Sequence, residues 1–316
     1  MIAEQIQIPK ASPYRVGRFY FHINEFDEAR PWLKKAALQK PWKLERWTRL
    51  AISHLPRRMA AVLAGSRRRL WHQLWEEALK LPGYPTIYES ALNEMSEYLK
   101  ISKEEALRLC QQATTQMADE WKEAAPQSAD QIMEFYRTNT TYIADLIHER
   151  SKPYEFGGHH AVEALLFALE KGAQSCLDFG SGDGSCGLLY AHHGLQASMA
   201  DVSSHLLEFV RWRFAQRGLE GKFYLMPGKP LPEKEFDLIT SFDTLEHVAD
   251  PLTALNDLYR SLKPGGHLIA NTPFGCTENH PMHLPHDRKK FIRGAKDMGF
   301  AVKSFRLREF YLFQKI

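Results

Sequence analysis

Residues 176–187 read Cys-Leu-Asp-Phe-Gly-Ser-Gly-Asp-Gly-Ser-Cys-Gly, a short apolar run that breaks into alternating glycines. Glycines directly after a strand let the backbone turn sharply and approach a ligand, and the helix expected next would point free N–H groups at it. A small cofactor is therefore expected on Gly180 to Gly184. The literal match of Gly182-x-Gly184-x-x-Gly187 to a dinucleotide fingerprint fails on register. The first glycine of that fingerprint should close the strand, which makes it Gly180, and the third then falls on Ser185. Asp178 also stands where an anionic pyrophosphate would be repelled.

S-adenosylmethionine suits these residues better, because its amino acid end carries an ammonium group and it has no phosphate. Three further blocks follow in order. Ala197–Ser203 is a strand ending in Asp201, 21 residues after Gly180, where a carboxylate could accept both ribose hydroxyls. Phe236–Val248 reads Phe-Asp-Leu-Ile-Thr-Ser-Phe-Asp-Thr-Leu-Glu-His-Val, a second strand and the loop after it. Leu262–Pro273 opens on Leu-Lys-Pro-Gly-Gly, a helix end and a turn before another strand.

With these four blocks, residues 159–316 resemble the class I S-adenosylmethionine-dependent methyltransferases. The resemblance implies an α/β fold, a seven-stranded, mostly parallel Rossmann-like sheet whose last strand, 309–315, is inserted antiparallel, with an N-terminal all-helical cap domain. It implies two domains, a helical cap or substrate domain over 1–155 and a cofactor domain over 156–316. Expected cofactor contacts are Tyr154, Asp178, Gly180, Ser181, Gly182, Asp201, Val202, Phe242, Asp243 and His247. Where many members carry an Asp after the third strand, this chain has Pro227-Gly228-Lys229, which leaves the hold on the adenine open.

Composition permits this and bounds the rest. With 316 residues, 44% of them apolar, the chain can bury one large core or two. No stretch of about 18 apolar residues occurs, and Met1–Arg15 has no apolar h-region. A cytoplasmic protein without a membrane partner is expected. Cys110, Cys176, Cys186 and Cys276 lack C-x-x-C spacing and read as reduced thiols. Residues 1–75 hold 15 Lys and Arg against 5 Asp and Glu, interleaved with tryptophans. Such a stretch suits an anionic substrate or a carrier protein; nucleic acid is disfavoured because no recognised module accompanies the charge. Oligomeric state is not legible.

Before residue 155 the apolar spacing predicts helices over 70–81, 87–101, 104–121 and 129–147, two of them opened by capping boxes at Ser102 and Ser128. Arg18–His22 suits a short strand or an extended arm. On the last helix Ile132, Phe135, Tyr136, Asn139, Tyr142, Ile143 and Leu146 form one stripe. A buried amide without partners costs about 2 kcal/mol or more, so Asn139 must meet a backbone group, another side chain or a ligand.

The catalytic candidates are Tyr136, Asn139, Tyr142, Tyr154, His280 and His283, as a lid over the sulfonium and as bases or orienters from the loop after the fifth strand. Glu246, His247 and His286 are further base candidates. No metal is expected, because no thiolate accompanies the histidines. The reading is methyl transfer to oxygen, nitrogen or carbon of a small-molecule acceptor, a secondary metabolite. The alternatives are a cyclase similar to azetidine-2-carboxylate synthases, releasing methylthioadenosine, and a cofactor-binding protein without turnover.

Overall fold

The computed structural model describes residues 12–65, 67–152, 158–228, 230–275, 281–305 and 310–316. Tyr154 and His280 lie outside the described residues, as do Phe156 and Cys276. The chain divides into two compact units, 1–91 with 149–162, and 92–148 with 163–316.

In chain order the elements of the first half are α1 (Pro13–His22), α2 (Phe26–Gln39), α3 (Leu44–Ser53), α4 (Arg57–Ala64), α5 (Arg67–Leu79), α6 (Ile87–Leu99), α7 (Lys103–Ala124), α8 (Ala129–Thr138), α9 (Thr141–Ser151) and α10 (His159–Glu170). The second half runs β1 (Ser175–Phe179), α11 (Ser185–His192), β2 (Gln196–Asp201), α12 (Ser204–Gln216), β3 (Lys222–Leu225), β4 (Phe236–Ser241), a 3₁₀ turn (Leu245–His247), α13 (Pro251–Ser261), β5 (Leu262–Asn271), α14 (Arg288–Asp297), β6 (Phe300–Ser304) and β7 (Phe310–Lys315).

In the first unit, α1 packs on α2 so closely that a Cβ on Gly17 would stand 2.8 Å from the Leu33 amide. Phe21, Phe26, Ala29, Leu33 and Ala60 form its core. Arg18–His22 is therefore helical, against the extended reading: Ser12 caps α1, accepting from the Arg15 N–H, and Pro13 pre-sets the first turn.

In the second unit the sheet runs β3-β2-β1-β4-β5-β7-β6. Strands β3 to β5 pair in parallel, and β7 lies antiparallel between β5 and β6, as the resemblance implied. Leu177, Ile239, Leu268 and Phe313 are fully buried in its core. Central parallel strands are covered on both faces, and every residue of β1 and β4 except Phe179 and Asp237 is buried. The Pro264-Gly265-Gly266 turn is extruded from β5: the register with β4 jumps from Leu262 to His267, and Gly265 takes a positive φ of 77° that only glycine adopts freely.

The helix expected over 129–147 is two. α8 ends at Thr138 and α9 starts at Thr141, because Asn139 turns its carbonyl to the Tyr142 N–H at 3.1 Å, offering the backbone a cap in place of continued helix. Both halves of the capping box at Ser128 are present, whereas at Ser102 only the hydroxyl's contact with the Glu105 N–H is made.

Candidate cofactor and active site

Strand β1 pairs with β2 on one side and β4 on the other. That reversal opens a crevice at the carboxyl ends of the strands, the place where open α/β sheets bind ligands. Gly180, Gly182 and Gly184 enter it with φ of 74°, 54° and 76°. Each also allows a close approach: a Cβ on Gly180 would stand 2.2 Å from Thr244, and one on Gly182 would stand 2.8 Å from Leu146 of α9. The glycines are thus demanded by the chain's own packing as well as by any ligand.

Several of the loop's N–H groups are already spent inside the chain. Gly180 and Ser181 donate to the Ala200 carbonyl, and Gly184 donates to that of Ser181. Gly182 donates to Asp201 Oδ2 at 2.9 Å and Ser185 to Asp183 Oδ1 at 3.2 Å. A pyrophosphate needs such donors unspent. A cofactor without phosphate does not, so the five spent donors add to the register argument against a dinucleotide.

Asp201 is 9% exposed. Its Oδ1 accepts from the Ser203 N–H at 3.0 Å, so each oxygen carries one backbone donor and keeps a second lone pair. Burial raises its pKa, and the N–H groups of Ser203, Gly182 and Val202 oppose that rise. Val202 itself is half-buried. Ser181 Oγ is buried without a hydrogen-bond partner among the described residues, an orphan that a polar ligand atom would satisfy. Asp178 is buried and accepts from Thr240 Oγ1 at 2.9 Å. Phe242 is buried, whereas Asp243 is exposed, with its N–H on Asn271 Oδ1 and its carboxylate accepting from Asn271 Nδ2. These residues fit the polar ends of an S-adenosylmethionine.

A buried charge network fixes the loop from behind. Arg213 of α12 donates to the Asp183 carbonyl at 2.8 Å and carboxylate at 3.0 Å, and pairs with Glu94 of α6. Arg217 meets the same Glu94. Burial alone would push the Glu94 carboxyl up, but Arg213 and Arg217 hold it below the usual carboxylate range. Sequence reasoning passed over this set; the available signal was a Glu inside the apolar run Ala91-Leu92-Asn93-Glu94-Met95 and an Arg between Trp212 and Phe214.

Across the crevice the loops after β4 and β5 are stitched together. Leu284 donates to the Glu246 carbonyl at 2.8 Å, and His286 Nε2 lies 2.9 Å from the Val248 carbonyl. His247 Nδ1 lies 3.2 Å from the Met282 carbonyl and 2.8 Å from Tyr136 Oη. His283 Nδ1 lies 3.1 Å from the Pro273 carbonyl, and its ring stands edge-on to His247 at 5.0 Å. Carbonyls only accept, so the Pro273 contact places a proton on His283 Nδ1 and the Val248 contact one on His286 Nε2, whereas His247 Nδ1 faces both the Met282 carbonyl and the Tyr136 hydroxyl, which can donate or accept.

Glu246 is fully buried, and neither of its oxygens has a hydrogen-bond partner among the described residues. Burial first, then the charge of Asp243, push its carboxyl up to about 8, opposed by the nearby backbone N–H groups of Glu246 and Thr244. Ligand atoms of Glu246, His247 and His283 lie within 4.8 Å of one another, a set that could share a proton or hold a metal ion. Tyr142 lies near this group. Burial, then the charges of Asp145, Asp201, Glu246 and Asp243, raise its pKa and keep the phenol neutral. Asn139 points elsewhere: its amide nitrogen donates to Glu120 Oε2 at 2.6 Å while its oxygen caps α9.

A family model described as a methyltransferase domain matches residues 111–309, more than half of the chain. The chain belongs to the class I S-adenosylmethionine-dependent methyltransferases. Among curated relatives, a demethylmenaquinone methyltransferase of Thermus thermophilus is 34% identical over 110 residues, 34% of this chain and 50% of that protein. A ubiquinone biosynthesis O-methyltransferase of Pseudomonas putida is 28% identical over 152 residues, 40% of this chain and 64% of that protein. The chain therefore spans between half and two thirds of the length of the relatives it matches. Of solved structures, the YcgJ protein of Bacillus subtilis superimposes with a TM-score of 0.40 at 18% identity, covering 47% of this chain and 71% of that one. In this methyltransferase the match begins at residue 111, so it takes in most of α7 together with α8 and α9 and is not confined to the sheet.

Proposed function

We propose that this methyltransferase transfers a methyl group from S-adenosylmethionine to a hydroxyl of a small-molecule acceptor, with Glu246 receiving the acceptor's proton. The observation that carries this is the Glu246 carboxyl itself: buried, without a hydrogen-bond partner among the described residues, raised to about 8 and beside His247 and His283. A buried carboxyl left unsatisfied costs stability, and a base with a pKa near the working pH is the one suited to taking a proton. The O-methyltransferase name of the Pseudomonas putida relative supports oxygen as the atom attacked.

When bound, S-adenosylmethionine supplies a methyl group on an already activated sulfonium. The chain must add alignment, exclusion of water and a place for the proton. Asp201 would hold the ribose through the lone pairs that Gly182 and Ser203 leave, and Ser181 Oγ and Asp178 would face the amino acid end. Tyr142 and Leu146 on α9, with Tyr136 on α8, would act as a lid beside the loop; Leu146 already packs over Gly182. Tyr136 and the Met282 carbonyl would hold the His247 ring, and His283 the other flank of Glu246. Tyr154 and His280 remain candidates from the sequence for the same cleft.

Incubation with S-adenosylmethionine and a panel of catechols and quinols, read by mass spectrometry, tests the reading. It expects adenosylhomocysteine only when an acceptor is present, and a fall of about 10² or more in kcat/KM for Glu246→Gln. Methylthioadenosine from the cofactor alone would establish the cyclase instead. Tight binding with neither product would leave a protein without turnover.

A further inference from the structure

Helix α4 reads Arg-Arg-Met-Ala-Ala-Val-Leu-Ala. A helix packed on a core normally turns its large apolar residues inward. Here Ala60 is fully buried and Ala61 and Ala64 pack on the Phe21, Phe26 and Leu33 cluster. Met59, Val62 and Leu63 are 56%, 80% and 59% exposed. They fall at the spacing that shares one helix face, so α4 presents an apolar face to solvent.

The neighbouring segments do the same. Trp42 and Leu44 are 73% and 77% exposed, and eight of the twelve large apolar residues exposed among the described residues lie between 38 and 70. Over residues 34–69 the chain carries eleven Lys and Arg and a single acid, Glu45. Trp47 and Leu38 also line a cleft of about 320 Å³ with Lys34 and Leu50.

We propose that the exposed surface of residues 38–70 in the first unit docks on a lipid bilayer rich in anionic phospholipid. Apolar residues enter the headgroup boundary, Trp42 and Trp47 sit at the level where an indole finds both an apolar and a polar environment, and the Lys and Arg side chains extend to the phosphates. Charge selects this occupant. A second copy would bring two strongly basic stretches together. Nucleic acid would satisfy the charge but leave Met59, Val62 and Leu63 in water, and contiguous exposed apolar patches mark an apolar partner.

Among the described residues no helix is long and apolar enough to cross a membrane, so the contact is peripheral. It departs from the sequence expectation of no membrane partner, because the direction in which α4 turns its apolar side is not written in its composition. It is independent of the reading of the active site.

Co-sedimentation of the full chain with vesicles tests it, using phosphatidylcholine alone and phosphatidylcholine mixed with phosphatidylglycerol. Binding is expected to the mixed vesicles, at least about tenfold weaker to the neutral ones, and weakened by added salt as surface charge is screened. The double variant Val62→Asp with Leu63→Asp should lose binding by at least about tenfold at an unchanged melting temperature, since both residues are exposed. Arg57→Gln with Arg58→Gln should weaken binding to mixed vesicles and leave the neutral ones unaffected. Equal sedimentation with both vesicle types, no sedimentation with either, or full binding by the Val62/Leu63 variant would overturn the proposal. So would a dimer, seen by light scattering, that the same variant dissociates, or binding to duplex DNA that survives it.

Discussion

The two walls of the crevice are built on opposite terms. On the glycine side many of the loop's polar groups are tied down by the chain itself: five backbone N–H groups have internal acceptors, Asp183 is held by Arg213, and Asp201 accepts from the Gly182 and Ser203 N–H groups. On the other side Glu246 is fully buried, and neither oxygen has a hydrogen-bond partner among the described residues. The first arrangement holds a shape and contributes to stability; the second costs stability and stores a proton acceptor. Changes on the glycine side should therefore weaken folding and binding together, and changes at Glu246 should lower activity while making the protein more stable.

The largest effect is expected at Arg213, whose guanidinium is 2% exposed and touches both Glu94 and Asp183. Arg213→Met should cost about 3–5 kcal/mol in urea unfolding, because Asp183 is left buried and uncompensated and Glu94 keeps only Arg217. A loss under about 1 kcal/mol would mean that the loop does not depend on this network. Asp201→Ala comes next: calorimetry with adenosylhomocysteine should show about 2–4 kcal/mol of lost affinity, since two charge-assisted bonds go and the loop loses its anchors at Gly182 and Ser203. Unchanged affinity would remove Asp201 from the cofactor site.

Asn139→Ala should cost about 1–2 kcal/mol of stability through the lost cap of α9 and the lost bond to Glu120 Oε2, and leave kcat within about threefold. That ordering separates a hinge between helices from a residue that meets the substrate. The smallest effect is expected from metal removal. If the Glu246, His247 and His283 group moves a proton, dialysis against a chelator leaves turnover and melting temperature unchanged; loss of either, restored by an added divalent cation, would make the group a metal site.

The glycine side was legible in the sequence, and the opposite wall only in part, for physical reasons. Gly180, Gly182 and Gly184 are forced by positive φ and by close neighbours, so the backbone itself restricts the residue type. Asp201 ends a strand at a fixed distance from them, and the Pro-Gly-Gly bulge likewise leaves few choices. The Arg213 network joins residues 119 and 30 positions apart, and no local rule pairs them. Glu246 stood out as a candidate base, but its lack of partners depends on where Leu284, His283 and Met282 return in space. The break at Asn139 was readable in Thr138-Asn139-Thr140-Thr141, a run of β-branched residues around a capping amide that the apolar stripe outweighed.

The central claim is that the fold raises the Glu246 carboxyl to ionise near pH 8, so that the carboxylate able to take the acceptor's proton forms there, and pH-dependent stability tests that without any acceptor. Its ordinary pKa is 4.5 and the fold raises it to about 8. The unfolded chain therefore loses this proton at lower pH than the folded one does, and the site's contribution to stability falls as pH rises between those values. The measurement is the unfolding free energy of the wild type and of Glu246→Gln across that range. The gap in favour of the variant should be near zero at the acid end, widen with rising pH to about 2 kcal/mol or more, and level off above about pH 8. A gap that does not change with pH, or a variant that is less stable at the alkaline end, would contradict the account.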